Sequence, residues 1–453
     1  MKKTILFGVA TATLISCQSY QPVELKPQDI LSEIESQRNK KIDLETFTFA
    51  QAASAMDTNN LRLQQIRQQY KGLQEVANLK TPLANPTITA GPAKGSRLED
   101  TTSSSTQAFI GIAFNIPLGP RLRRNDELNE LIALRAYNEQ VLNHRQLYFE
   151  LREAYVSYSL SQKAIKLQNK IEKTLETTAN ATKKLFDFGS TSKLSLTEVK
   201  LQQGEISLEK LDQIMQSKEY LAELSNLLVI DEGILENLQL EILNSVDQNI
   251  EFQKLKQQFI LNNPSLARAE MAFHLVDAEL RLELAKQYPD LSVGFDADQE
   301  VGERKRTYAI PFSVELPIFD RNQQAIALSL SQREQKLITY KETMNSKISE
   351  LKKIYQQQML ASQKLDILQD VLMPLSKSNL NDAKRAMELG TIDALRYMDM
   401  IKDHQKMQLQ VVAHEIEHWQ IKIQLEMLCG FPLSSNNQAD INTLEIKKME
   451  LSK

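Results

Sequence analysis

The chain repeats itself. FNIPLGPRLRRN at Phe114–Asn125 lines up with VELPIFDRNQQA at Val314–Ala325, an offset of 200. KKLFDFGSTSKLSL at Lys183–Leu196 lines up with KRAMELGTIDALRY at Lys384–Tyr397, offset 201, and Pro86 and Gly91 pair with Pro289 and Gly294 at 203. The offsets drift by so little that residues 51–230 and 252–432 are two copies of one unit, joined by a linker at 231–251.

Each copy has the same order. A helical stretch (Leu61–Leu79; Leu266–Gln287) precedes two β-like runs. A very long helix follows (Arg121–Asp187; Arg321–Glu388), breaks at Gly189 or Gly390, and leads into a last helix (Lys193–Leu228; Ala394–Leu428). Low glycine and aromatic content, with abundant Leu, Gln, Lys and Glu, fits long helices. A continuous helix over Arg121–Asp187 would be on the order of 100 Å long, longer than any globular core. Tyr137, Val141, His144, Tyr148, Leu151, Tyr155 and Tyr158 step by four and three along it, as in a coiled coil. The final helix carries two apolar seams on nearly opposite sides, so it packs between two neighbours like a stave in a wall.

The β runs alternate. Ala108, Ile110, Ile112, Phe114 and Ile116 share one face, with Gln107, Gly111, Ala113 and Asn115 on the other. Tyr308, Ile310, Phe312, Val314 and Leu316 alternate with Thr307, Ala309, Ser313 and Glu315, and Leu291, Val293 and Phe295 with Ser292, Gly294 and Asp296. TITAG in the first copy is shorter and weaker. One apolar and one small or polar face is what a membrane β-barrel strand needs, although a half-buried soluble sheet has the same pattern. Two separate hairpins near 85–118 and 289–317 cannot close a barrel, so other copies of the chain are required. The polar stretches KGSRLEDTTSSS and EVGERKR are expected as turns.

A net charge of −4 implies no strongly basic surface and argues against a nucleic-acid partner. MKK followed by TILFGVATATLI is a signal peptide over 1–16. Leu14-Ile15-Ser16-Cys17 resembles the lipobox of bacterial lipoproteins, which implies lipid attachment at Cys17 and a lipidated segment at 17–50. Gln18, not Asp, follows the Cys, and the outer membrane is the default destination. With Cys17 acylated, Cys429 is left as a small buried apolar residue. The tail at 433–453 is polar, and it and Gln18–Asp43 are expected to pack outside the main body or stay mobile.

One short motif points elsewhere. His414-Glu415-Ile416-Glu417-His418 fits H-E-x-x-H, the spacing of a zinc protease helix. Both histidines fall in an apolar seam, their repeat equivalents are Gln213 and Ser217, and no third ligand follows at a known spacing. Packed or lumen-facing histidines are the better reading, with no metal site.

Together, the lipobox, the duplication, two hairpins and paired long helices with Gly breaks resemble the TolC-like outer-membrane efflux channel family. The resemblance runs from Leu44 to Pro432 and rests on NIPLGPRLR, ELPIFDRNQ, FDFGSTSKL and MELGTIDAL. LPIFDRNQ is most similar to the branch serving heavy-metal and related resistance-nodulation-division (RND) pumps. The resemblance implies a mainly α, internally duplicated fold with a membrane β-barrel contribution. It implies a homotrimer whose long coiled-coil helices form a hollow periplasmic α-barrel, and whose hairpins close a barrel of about twelve strands in the outer-membrane lipid. Such a channel is a passive exit duct, not an enzyme, and needs no cofactor beyond the lipid on Cys17. An inner-membrane pump, of RND type, drives transport, and a periplasmic adaptor (membrane fusion protein) bridges the two. Phe188, Gly189, Ser190, Leu389, Gly390 and Thr391 match the tips where the adaptor docks. Arg396 and Asp399 match the periplasmic constriction, with Glu198 at the first-copy position of Asp399. Asp399 fits the acidic pattern and Arg396 departs from it; a solvated helix face is the competing reading. The alternative function, a periplasmic coiled-coil adaptor or scaffold lipoprotein, calls for one helical hairpin and a Gly-rich β domain. This chain has two hairpins and few glycines.

Overall fold

The computed structural model describes residues 20–40, 46–97, 100–243, 251–301, 306–392, 394–433 and 447. The signal peptide and Cys17 lie outside the described residues, as does most of the C-terminal tail. Helix α1 (Pro27–Arg38) has no buried residue. Strand β1 (Thr46–Phe47) then leads into the first copy, which opens with α2 (Phe49–Asn59) and α3 (Leu61–Asn78). The second opens with α7 (Phe252–Asn262) and α8 (Pro264–Ala285). In both, an asparagine joins the helices. The Asn60 carboxamide oxygen caps α3 at the Leu63 N–H (3.1 Å), and its nitrogen donates to the Leu227 carbonyl (3.0 Å). Asn263 does the same for α8 at Leu266 (2.9 Å) and for Leu428 (2.6 Å). One buried amide thus satisfies a helix start and a helix end at once, in each copy.

The hairpins are β2 (Thr87–Arg97) with β3 (Asp100–Pro117), and β5 (Asp290–Val301) with β6 (Arg306–Ala309) and β7 (Phe312–Val314). They are not separate. Strands β3 and β5 pair antiparallel from Thr106–Val301 to Pro117–Asp290, so one chain makes a single sheet with β2 at one edge and β6/β7 at the other. TITAG is not a weak strand either: β2 runs on through Lys94, Gly95 and Ser96, which pair with Thr106, Ser105 and Ser104. The polar stretch expected as a turn is strand on both sides, because serine and threonine extend readily when each N–H finds a ladder partner. In the second copy the return strand is broken. Pro311 has no N–H for the ladder, and only its carbonyl joins, accepting from Gly294 (2.9 Å).

The register assembles the two faces anticipated from alternation. Ile88, Ile112 and Phe295 form one row, Phe114, Val293 and Phe312 another, and Ile116, Leu291 and Val314 a third. The opposite face carries Thr89, Gly111 and Asp296, and Asn115, Ser292 and Ser313. A Cβ at Gly111 would stand 2.2 Å from the Asp296 carboxylate, so the small residue there makes room for the charge.

Below the sheet, α4 (Arg121–Asp187) is one uninterrupted helix and turns back as α5 (Lys193–Leu228). After the short α6 (Glu232–Glu236), strand β4 (Gln239–Leu240) pairs parallel with β1. The second long helix is not continuous as expected. It comprises α9 (Gln323–Asp366), a π-turn at Ile367–Leu372 and α10 (Met373–Glu388), before α11 (Ala394–Cys429) returns. Burial locates the cause. Leu151, Ala154, Ser161 and Gln168 are buried, as are Leu351, Ile354, Ala361 and Leu368, an offset of 200. Past the π-turn the inward positions match at 201: Leu175, Ala179 and Thr182 against Ser376, Leu380 and Ala383. The second copy has one extra residue, and the π-turn absorbs it without rotating the helix face below.

The main core lies where α2, α4, α5 and α11 meet β1 and β4. There Phe49 packs edge-on against Tyr148 and Tyr155, with Val412, Trp419 and Ile423 from α11. A second core, Leu255, Phe259, Leu351, Ile354 and Cys429, serves the other copy. No described helix is long and apolar enough to cross a membrane.

Candidate functional site

The two reversals at the far ends of the helical hairpins are built alike. Gly189 (φ 70°) and Gly390 (φ 68°) take the left-handed conformation that only glycine adopts without strain. The Ser190 N–H returns to the Leu185 carbonyl (2.8 Å), and the Thr391 N–H to that of Ala386 (2.9 Å), where the Thr391 hydroxyl also donates. Ser192 then caps α5 at the Ser195 N–H. The residues just before the glycines are Phe188 and Leu389, which are 83% and 80% exposed. A turn alone requires the glycines and the backbone bonds. It does not require a large apolar side chain held in water at the same place twice.

The constriction candidates sit on the two return helices. Glu198 is exposed on α5, and Arg396 on α11. Asp399 is half-buried and lies 4.0 Å from Lys402 one turn on. With Arg396 one turn before, Asp399 stands among cations within its own helix.

The H-E-x-x-H residues do not converge. His418 is buried, and its Nε2 meets the Gln358 amide (2.9 Å) and the Ser362 hydroxyl (3.1 Å) of α9. The His414 Nδ1 is 2.7 Å from Glu417, which also holds Lys364. Glu415 is held by Lys163 and Gln369. In the first copy Gln162 donates to Ser217 (3.1 Å), the counterpart of the Ser362–His418 contact. His418 therefore fills a helix-packing position that a serine fills in the other half. Among the described residues no group of three or more metal-ligating side chains is arranged to hold an ion. Burial pushes the Cys429 thiol up to about 12, which keeps it protonated and inert.

Three features of the helical wall were not singled out in the sequence. First, Arg152 and Glu426 form a fully buried ion pair (2.7 Å) that ties α4 of one copy to α11 of the other. The guanidinium also lies 5.2 Å from the Trp419 ring centroid, and Glu426 accepts from the Leu433 N–H (3.0 Å). Nothing in the spacing of two residues so far apart marks them as partners. Second, three carboxylates crowd one patch. Burial pushes the Glu153 carboxyl up, with Glu223 and Glu150 adding to it, and Glu223 is raised by burial and Glu150. Third, α5 exposes Leu194, Leu201, Leu208 and Met215, and the other hairpin exposes Leu360, Ile367, Val371 and Leu375. The interval of seven in the first stripe was available in the sequence.

No family model matches the chain. Among solved structures, a membrane protein from Pseudomonas aeruginosa superposes with a TM-score of 0.70 at 16% identity, covering 92% of this chain and 97% of that one. The Campylobacter jejuni CmeC outer membrane channel gives 0.68 at 12% identity, covering 95% and 94%. The chain has the TolC-like outer-membrane channel fold. Among curated proteins, the cobalt-zinc-cadmium resistance protein CzcC of Cupriavidus metallidurans is 25% identical over 152 residues, 33% of this chain. The match spans about a third of that relative's length (35%).

Proposed function

We propose that the chain is the outer-membrane exit duct of a tripartite efflux system, lipid-anchored through Cys17. The observation that carries the reading is the unfinished sheet. It has two open edges, at β2 and at β6/β7, and an apolar face that leaves Ile88, Ile110, Phe295, Tyr308 and Phe312 exposed. Free edges and a bare apolar face are not stable in water, and closure in lipid relieves both. Three chains, each with four strand positions, make a closed barrel of about twelve strands, within the even-numbered range of such barrels. The exposed stripe of α5 would pack on that of α9–α10 in the next copy, closing the helical tube beneath. Phe188 and Leu389 then crown its far end as apolar contacts for a periplasmic adaptor. An RND-type pump supplies the energy, and the CzcC likeness supports divalent metal ions as the exported substrate.

The test is fractionation with native sizing. A heat-modifiable trimer in the outer membrane is expected; a monomeric periplasmic product overturns the reading. A deletion strain scored against divalent metal salts, dyes, detergents and antibiotics tests the substrate. Sensitivity confined to metals supports it, and sensitivity to amphiphiles alone overturns the metal assignment while leaving the channel.

A further inference from the structure

We propose that Asn138, Tyr137 and Tyr70 form a peptide clamp on the outside of α4, and that its occupant is the C-terminal tail of the same chain. The Asn138 carboxamide makes both its bonds to one residue. Its nitrogen donates to the Lys447 carbonyl (2.9 Å), and its oxygen accepts from the Lys447 N–H (3.0 Å). That is the pairing one strand offers another, supplied here by a single side chain on a helix. Asn138 is 1% exposed with the tail in place, and its amide finds a donor and an acceptor in the tail backbone. The Lys447 ammonium lies 4.4 Å from the centroid of the Tyr137 ring, which meets Tyr70 edge-on at 5.4 Å. The amide holds backbone and tolerates any residue but proline; the ring platform selects a cation. The clamp thus recognises a basic segment by its backbone and one cation, and IKKMELSK in the tail has the composition for it.

The same chain is the natural donor. Arg145 donates to the Gly430 carbonyl (3.4 Å), so α11 ends beside a point on α4 seven residues from Asn138. That is about 10 Å along the helix, whereas residues 434–446 can span up to about 45 Å. A tether this short relative to its reach keeps the tail at high local concentration. The second copy has Leu337 and Ile338 where the first has Tyr137 and Asn138, so each chain has one clamp and one tail.

The experiment uses the full-length chain in detergent, with a benzophenone side chain at position 447 and a mixture of nitrogen-15-labelled and unlabelled copies. Cross-linking to the α4 segment that contains Tyr137, within one isotopic species, is expected. Tryptic cleavage after Lys448 should be at least tenfold faster in Asn138→Ala. Lys447→Pro removes the tail's N–H together with its cation, leaves the clamp residues on α4 and α3 intact and should release the tail equally. Absence of the cross-link, or equal cleavage rates in parent and both variants, overturns the clamp. Cross-links only between unlike isotopes overturn the same-chain occupant.

Discussion

The two helical hairpins descend from one unit, yet they solve the same geometric problem differently. The first carries its inward face down 67 residues of unbroken α-helix; the second inserts a π-turn at Ile367–Leu372 and continues. The first crowds Glu150, Glu153 and Glu223 together, whereas the second has Glu350, Lys353 and Gln424 at those positions. The first ends α5 on Val229 at φ 56°, where the second ends on Gly430 at φ 79°. What the copies share is therefore the buried face and the tip. The backbone path, the charges and the residue that ends the last helix were free to diverge as long as those two, and the shared Asn60/Asn263 junction, were kept.

The largest effect should come from deleting single residues. Removing Gln369 within the π-turn should convert the second hairpin into a continuous helix like the first. Both buried faces stay in phase, and the yield of folded protein on native gels and growth complementation are retained. Removing Gln357 rotates the residues from Gln358 to Leu368 by about 100° relative to the turns above. It expels Ala361 and Leu368 from the interface and breaks the His418 contact. Loss of folded protein on native gels is expected. Equal tolerance of both deletions would refute the one-residue account of the π-turn.

Next is the link between the copies. Arg152→Ala or Glu426→Ala leaves an uncompensated buried charge and should cost about 3–5 kcal/mol. The second copy has Lys352 at the Arg152 position, and Ser225 is the first-copy counterpart of Glu426, so Lys352→Ala should be nearly silent. Replacing both partners by Met and Leu should recover most of the loss. Denaturant midpoints of the purified protein check all four.

The helix ends respond unequally at equivalent positions. A Cβ on Gly430 would meet the Asn262 carbonyl oxygen at 2.2 Å, in a left-handed conformation. Gly430→Ala should cost at least about 1–2 kcal/mol. Val229→Gly relieves a β-branched residue of positive φ but removes a buried side chain, so the two effects oppose and the net change should stay within about 1 kcal/mol. Thermal melts of the two variants decide it, and an equal loss in both would break the comparison.

Much of this was legible because duplication supplies its own alignment. The bounds of α4 and α5, the Gly tips and the two faces of the sheet all follow from a pattern seen twice. The failures fall where the copies differ or where a partner is distant. A one-residue slip in offset does not reveal where in a long helix the extra residue sits. Pro311 interrupts a strand whose side chains alternate correctly on both sides, so alternation alone conceals the break. Pairing of β3 with β5 depends on residues about 190 positions apart, with no local signal. Of the candidate site residues, the tips were identifiable because glycine is demanded by φ. Glu198, Arg396 and Asp399 are ordinary charges on helix faces, and no local pattern sets them apart.

The smallest effect concerns the carboxylate crowd. Burial, Glu223 and Glu150 raise the Glu153 carboxyl above its ordinary value in the folded protein. Folding then binds more protons than the unfolded chain does in the window above the ordinary carboxylate value. Stability must fall as the pH rises through the raised value, and the cost persists at neutral pH. Glu153→Gln removes that cost. The variant should melt higher than the parent at neutral pH, and the two curves should converge as the pH drops below about 4, where the unfolded carboxyl is protonated as well. The matched change in the second copy, Lys353→Gln, should show no such convergence. If Glu153→Gln gains nothing at neutral pH, the three carboxylates are kept apart by water, and the charge difference between the hairpins has no energetic consequence there.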